Sequence, residues 1–243
     1  MSARIGWIVD VQNDFMLPDG RLYVRHLTDA SDAGAVRARE RIEEAVAWMQ
    51  ANCDVLVYTG DWHAAGDSEI DAVSPDAAKG TYPPHCMGLS DDPEERRGGD
   101  ILESVAPEDP VVLPRGASPE SAREAARAAI REGRPIFVQK ERFSVFEGNP
   151  GAEALLDELA SLLREPLEIV VAGVARDVCV TQAVDGMQQR GYRTVALRDA
   201  TWGLGLEDEA ATLERWARGG RVVTLDELRA ETDPGAVPRP REP

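Results

Sequence analysis

Short, nearly continuous apolar runs alternate along this chain with longer stretches whose apolar residues recur every three or four positions. The runs IGWIVDVQ (5–12), DVLVYTGD (54–61), PIFVQK (135–140), LEIVVAGVA (167–175) and RTVALRDA (193–200) have strand length. Their lack of polar alternation is the pattern of strands covered on both faces. RVVTL (221–225) offers a sixth. Between them, residues 36–50 place Ile42, Ala45, Val46 and Met49 on one helical stripe with charges opposite. Ser118 and Pro119 ahead of ESAREAARAAIREG supply a cap, a proline in the first turn and a glycine stop. Residues 151–163, 178–190 and 206–218 complete the alternation. The pattern predicts an α/β fold, a three-layer sandwich with a mainly parallel central sheet of about six strands and helices on both faces.

Two stretches break it. Residues 87–117 are too polar and turn-rich for core and too long for an ordinary connection, which reads as an elaborated surface loop or lid. The tail 232–243 is Pro-rich and polar and is expected to be disordered. Residues 1–231 then form a single domain, within reach of one core for a chain of 243 residues.

Charge and cysteine content narrow the function. With 27 Lys and Arg against 44 Asp and Glu, the formal charge of −17 repels phosphates and anionic lipid and argues against nucleic-acid or membrane partners. No stretch approaches the roughly 20 consecutive apolar residues of a membrane span, and the N-terminus lacks a signal-peptide pattern. The odd set Cys53, Cys86 and Cys179 has no framework spacing. Reduced thiols and a cytoplasmic location are expected.

In an open parallel sheet, ligands bind at the carboxyl ends of the strands. Four runs deliver chemistry there: Asp10 after the first, Asp61 after the second, Lys140 after the third, and Ala175-Arg-Asp-Val-Cys179 after the fourth. Singly, such residues are ordinary turn aspartates, a solvated lysine and a buried hydrophobe. Together they make a nucleophile set: a carboxylate to take the thiol proton and an ammonium to keep it ionised. Cys179 is expected in the first turn of the 178–190 helix, where free N–H groups favour a thiolate. Two of the three histidines, His63 and His85, fall with Asp61 in GDWH and PPHC, a donor set suited to zinc, iron or manganese. Asp67, Glu69 and Asp71 are available as further oxygen donors.

The segments VDVQNDF, GDWH with PPHC, KERFSVFEG and AGVARDVCVTQA, in that order, resemble the signature segments of the isochorismatase-like cysteine hydrolases, most closely nicotinamidase/pyrazinamidase. The resemblance runs from about residue 4 to 225. It implies Cys179 as nucleophile, Asp10 as general acid/base and Lys140 as the group that positions them. It further implies a cis peptide at Val174-Ala175 whose neighbouring N–H groups, of Ala175 and Cys179, form an oxyanion hole. Asp61, His63 and His85 are implied as ligands of a divalent metal, zinc first, with Phe15, Tyr82 and Phe143 walling the substrate pocket. A homo-oligomer acting on a small amide is the expected form.

The chain departs from the nicotinamidase pattern at several positions. Glu69 stands where a second histidine often follows, leaving Glu69, another acid or water as the fourth ligand. Tyr82 replaces a commoner tryptophan, and Arg176 and Val178 replace a threonine and an aromatic or histidine. Arg176 either recognises a substrate carboxylate or faces solvent or an interface. The expected activity is conversion of nicotinamide to nicotinic acid and ammonia in NAD salvage. A related amidohydrolase for another small amide or ureido compound is the alternative, followed by a non-catalytic binding protein.

Overall fold

The computed structural model describes residues 2–163 and 166–232. In chain order the elements are β1 (Ala3–Val9), α1 (Asn13–Met16), α2 (Val36–Asn52), β2 (Val55–Asp61), α3 (Pro93–Gly99), β3 (Val111–Leu113), α4 (Pro119–Glu132), β4 (Ile136–Lys140), α5 (Val145–Gly148), α6 (Ala152–Leu162), β5 (Leu167–Val174), α7 (Thr181–Gln189), β6 (Thr194–Trp202), α8 (Glu209–Gly219), β7 (Arg221–Val223) and α9 (Leu225–Thr232). The strands form one parallel sheet in the order β3-β4-β2-β1-β5-β6-β7.

Alternate strand residues enter two cores. Ile5, Trp7, Val57, Val138 and Val171 pack against α4, α6, α7 and Trp216 of α8. Ile8, Tyr58, Phe137, Val170 and Val195 pack against α2 and Leu225 and Leu228 of α9. Covering both faces is what lets β2 and β5 be apolar nearly throughout, and every residue of both strands is buried. The capping expected for α4 is present: Ser118 Oγ accepts from Ser121 N–H, and Gly133 ends the helix at φ 64°.

The sheet has seven strands, one more than the apolar runs suggest. The extra strand is β3, inside the stretch read as a loop. Three residues, of which only Leu113 is buried, are too few to show a period. α3 also lies in that stretch, capped by Asp92. At the other end β7 stops at Val223 rather than 225. Thr224 Oγ1 accepts from Glu227 N–H at 3.1 Å, while the Glu227 carboxylate accepts from Thr224 N–H at 2.7 Å. That reciprocal capping box starts α9. Of the tail read as disordered, Thr232 closes α9 and the rest lies outside the described residues. Among the described residues no helix is long and apolar enough to cross a membrane.

Candidate active site

The chain leaves β1 toward β2 on one side and later adds β5 on the other, so β1 stands at the switch point where an α/β sheet opens a crevice. Asp61 and Lys140 are direct partners in the β2–β4 register, and Val9 pairs with both Thr59 and Gly173. The ends of four adjacent strands thus converge. Asp10 leaves β1 at φ 50°, the left-handed region that aspartate tolerates better than most residues. Gly173 has φ +128°, and a Cβ there would lie 2.1 Å from the Val9 carbonyl oxygen. Only glycine lets β5 press this close to β1 and carry the following loop over Asp10. The Val174-Ala175 peptide is cis.

Lys140 is the hub of the cluster. Its ammonium, 1% exposed, lies 2.9 Å from Asp10 Oδ2 and 3.8 Å from Cys179 Sγ, and it donates to Asp61 Oδ1. Thr59 Oγ1 donates to Asp10 Oδ1 at 2.6 Å. Burial alone would drive the ammonium pKa down, but the carboxylates of Asp10 and Asp61 outweigh it and hold Lys140 well above its usual range. Burial pushes the Asp10 carboxyl up, against the pull of Lys140, which makes it a stronger base than an exposed aspartate.

Cys179 differs from the sequence expectation in two ways. It sits in a π-helical turn, Arg176–Val180, that precedes α7 rather than in the first turn of an α-helix. Ala175 C=O accepts from both Val178 and Val180 N–H, which widens the turn. The thiol, moreover, is not poised as a thiolate. Burial raises its pKa well above the ordinary value despite Lys140, so at neutral pH it keeps its proton. Asp10 faces the thiol, its carboxylate oxygen and the sulfur lying within 4.8 Å of each other.

Beside this cluster, Asp61, His63 and His85 offer one ligand atom each, all within 4.8 Å of one another and all buried. Backbone pairing brings the two histidines together, since His63 N–H donates to Cys86 C=O and Leu89 N–H to His63 C=O. His85 Nδ1 is 2.8 Å from Pro83 C=O, a contact that places the ring proton on Nδ1 and leaves the Nε2 lone pair, 3.9 Å from Asp61 Oδ2, free to ligate a metal. His63 is wholly buried with no hydrogen-bond partner on either ring nitrogen, and burial lowers its pKa toward the neutral form a metal needs. Two orphaned nitrogens in the interior are costly unless a cation claims one. The donor set fits a divalent ion. Asp67, 3.4 Å from His63 Nδ1, is positioned to orient that ring. Partial burial pushes Asp67 up, but Arg115 and the Ala64 N–H outweigh it and bring its pKa down to about 2. Glu69 stands outside the cluster on Arg142 at 3.1 Å, and Asp71 accepts from the backbone of Val73 and Ser74. Purified protein should carry about one divalent ion per chain, and His63→Ala should lose it on dialysis, both read by elemental analysis. Equal metal content in the two proteins would refute the ligand set.

A cavity of about 330 Å³ opens above the thiol. Phe15, Tyr82 and Phe143 all line it, with Tyr82 edge-on to Phe143 at 5.4 Å and both Phe15 and Tyr82 against His85. Residues 87–117 do not line it. Its outer wall comes instead from residues 22–27 and 204–206. Arg176 points elsewhere: Nε and Nη2 donate to Thr201 Oγ1 and C=O at 2.9 Å, and Nη1 pairs with Glu209.

Several working residues escape a reading of strand ends. Thr59, which orients Asp10, is visible only as a polar residue within an apolar run. Gln12 bridges β1 and β2 by exchanging bonds with Asp61 N–H and C=O at 2.8 Å. Asp14 accepts from Cys86 N–H at 2.7 Å and so fixes the loop that carries His85. The outer-wall leucines Leu22, Leu27, Leu204 and Leu206 look like any surface apolar residues until the two loops meet.

Comparison with known proteins agrees with this fold. A nicotinamidase/pyrazinamidase of Bacillus subtilis superimposes with a TM-score of 0.62 at 18% identity, covering 91% of this chain and 99% of that one. A zinc complex of the pyrazinamidase of Pyrococcus horikoshii gives 0.55 at 21% identity, covering 91% and 99%. The "Isochorismatase domain-containing protein 1" of Salmo salar is 32% identical over 95 residues, 39% of this chain and 31% of the salmon protein, so the match spans under a third of that relative. The model of the isochorismatase domain matches residues 7–227, which takes in every strand end described above, and the chain belongs to the isochorismatase family of hydrolases.

Proposed function

We propose that the chain is a cysteine amidohydrolase of the nicotinamidase type, converting nicotinamide to nicotinic acid and ammonia. The observation that carries this reading is the Cys179 thiol held among Asp10 and Lys140 at the floor of an apolar cavity. Asp61, His63 and His85 would hold a divalent ion, zinc first with iron or manganese also suited, which supplies Lewis-acid charge for the polar end of the substrate.

The steps follow from the proton inventory. Asp10 takes the thiol proton as Sγ attacks the carboxamide carbon, and the N–H groups of Ala175 and Cys179 stabilise the negative oxygen. Asp10 then passes the proton to the departing nitrogen, and ammonia leaves a thioester on Cys179. A water gives its proton to Asp10 as it attacks the thioester. Collapse of that adduct frees the carboxylic acid, and Asp10 returns a proton to the sulfur. Lys140 remains an ammonium throughout, keeping Asp10 ionised between transfers.

The test is ammonia release from nicotinamide by metal-replete protein. Equal amounts of ammonia and nicotinic acid, at kcat/KM of ~10⁴ M⁻¹s⁻¹ or more, are expected. No release with metal bound would refute the reading.

A further inference from the structure

The cavity is larger and more apolar than a single-ring amide requires. A space of ~150 Å³ accommodates one benzene ring, against about 330 Å³ here. Allowing two waters at ~30 Å³ each near the polar end still leaves well over the space of one ring. Apart from Asp61 and the imidazole of His85 at its floor, the cavity is lined by uncharged and mostly apolar side chains, and Tyr23, one of its wall residues, spends its hydroxyl on Ala33 C=O. Arg176, the cation that could have received a substrate carboxylate, is committed to Thr201 and Glu209.

The outer wall is a built feature. Leu27 N–H donates to Leu204 C=O at 2.8 Å, joining the two loops that form it. Asp177, two residues before the nucleophile, accepts from Leu204 N–H at 2.8 Å and Leu206 N–H at 2.7 Å. Gly205 turns the loop between them at φ +73°. So held, Leu27 and Leu206 stand at the mouth with 64% and 63% of their surfaces exposed. Two large apolar side chains fixed open at one rim find cover when a bound molecule reaches them.

Resting on the amidohydrolase reading above, we propose that the preferred substrate is an uncharged primary carboxamide whose acyl part carries an apolar substituent extending from the ring-sized floor to the Leu27–Leu206 rim. Its hydrolysis consumes one water and yields the carboxylic acid and ammonia.

The experiment compares nicotinamide with three ring-position isomers of butylnicotinamide and with the same isomers bearing a carboxylate in place of the butyl group. Kinetics use the wild-type holoenzyme, and affinities are measured by calorimetry on Cys179→Ala holoprotein. At least one butyl isomer should exceed nicotinamide about tenfold in kcat/KM and in affinity, and every carboxylate isomer should fall below nicotinamide. Leu206→Ser should cut the butyl-to-nicotinamide ratio about fivefold. A butyl preference in binding without turnover of any amide would refute the hydrolase reading, and with it the assignment of a substrate, while keeping the rim as an apolar subsite. Binding of all butyl isomers no tighter than nicotinamide, or tighter binding of a carboxylate isomer, overturns the proposal itself.

Discussion

Cys179→Ala should fold, bind its metal and release ammonia from nicotinamide at least ~10⁴-fold more slowly than wild type, since loss of a covalent nucleophile leaves only binding and oxyanion contacts. The side chain is 6% exposed in a well-packed turn, and the change removes one sulfur. That costs about 1–2 kcal/mol, a part of the ~5–15 kcal/mol typical of a domain. Thermal unfolding and elemental analysis should therefore be close to wild type. Cys53→Ala is the matched control, because Cys53 follows α2 outside the Asp10–Lys140 cluster and burial, with a smaller push from Asp54, raises its thiol to about 12. Mass spectrometry of quenched wild-type reactions should show an acyl adduct on the peptide containing Cys179. Ammonia release by Cys179→Ala within tenfold of wild type would exclude a thioester route.

Cys179 could be placed in the site from the sequence for the same reason that its protonation could not be read there. Asp10, Asp61, Lys140 and the 175–179 loop each end a run that is apolar on both faces, so placing the strands places the residues. Protonation depends on something strand ends do not encode, namely how deeply the loop sinks. A helix N-terminus in water favours a thiolate, whereas here the π-helical turn buries Cys179 against Lys140 and Asp10, and desolvation wins. Arg176 shows the same limit. Directly after the cis peptide, it reads equally as a substrate contact or as a residue facing solvent or an interface, and the bend at the end of β5 instead buries it against Thr201 at the end of β6. The short elements were lost for a simpler cause. β3 has three residues, and α9 shows a single apolar pair, Leu225 and Leu228, too short to establish a period, beside the Thr224–Glu227 capping pair that hydrophobic periodicity passes over. The rim leucines depend on two loops some 180 positions apart meeting through a single backbone bond, Leu27 to Leu204. Loop pairing of that kind has no local signature.

Lys140→Met should lose both stability and turnover, and the pH dependence of the two losses should run in opposite directions. Removing the ammonium leaves oxygens of Asp10 and Asp61 within 4.8 Å of each other with no cation between them in the buried triad. Breaking a buried ion pair by deleting one partner costs about 3–5 kcal/mol. The cheapest relief is a proton on Asp10, whose pKa burial already raises and which loses its strongest downward pull, leaving only the Thr59 hydrogen bond to oppose burial and Asp61. A carboxyl with a folded pKa above its unfolded value binds more protons in the native state, so stability falls as pH rises. The deficit relative to wild type should be smallest near pH 4, around the unfolded aspartate pKa, and grow to its full size once pH passes the folded one. Turnover should move the other way. A protonated Asp10 cannot take the thiol proton, and kcat should be down at least ~10³-fold at acid pH, a general-base loss at the upper part of the usual range. Raising the pH should recover part of it. Lys140→Arg should not rescue either property, because a planar guanidinium does not fit a site that leaves the lysine 1% exposed among three side chains. Parallel measurement of thermal midpoints and initial rates from pH 4 to 9 checks both slopes. A pH-independent stability deficit, or wild-type turnover in the methionine variant, would remove Lys140 from the role of holding Asp10 ionised and leave it a structural cation for Asp61.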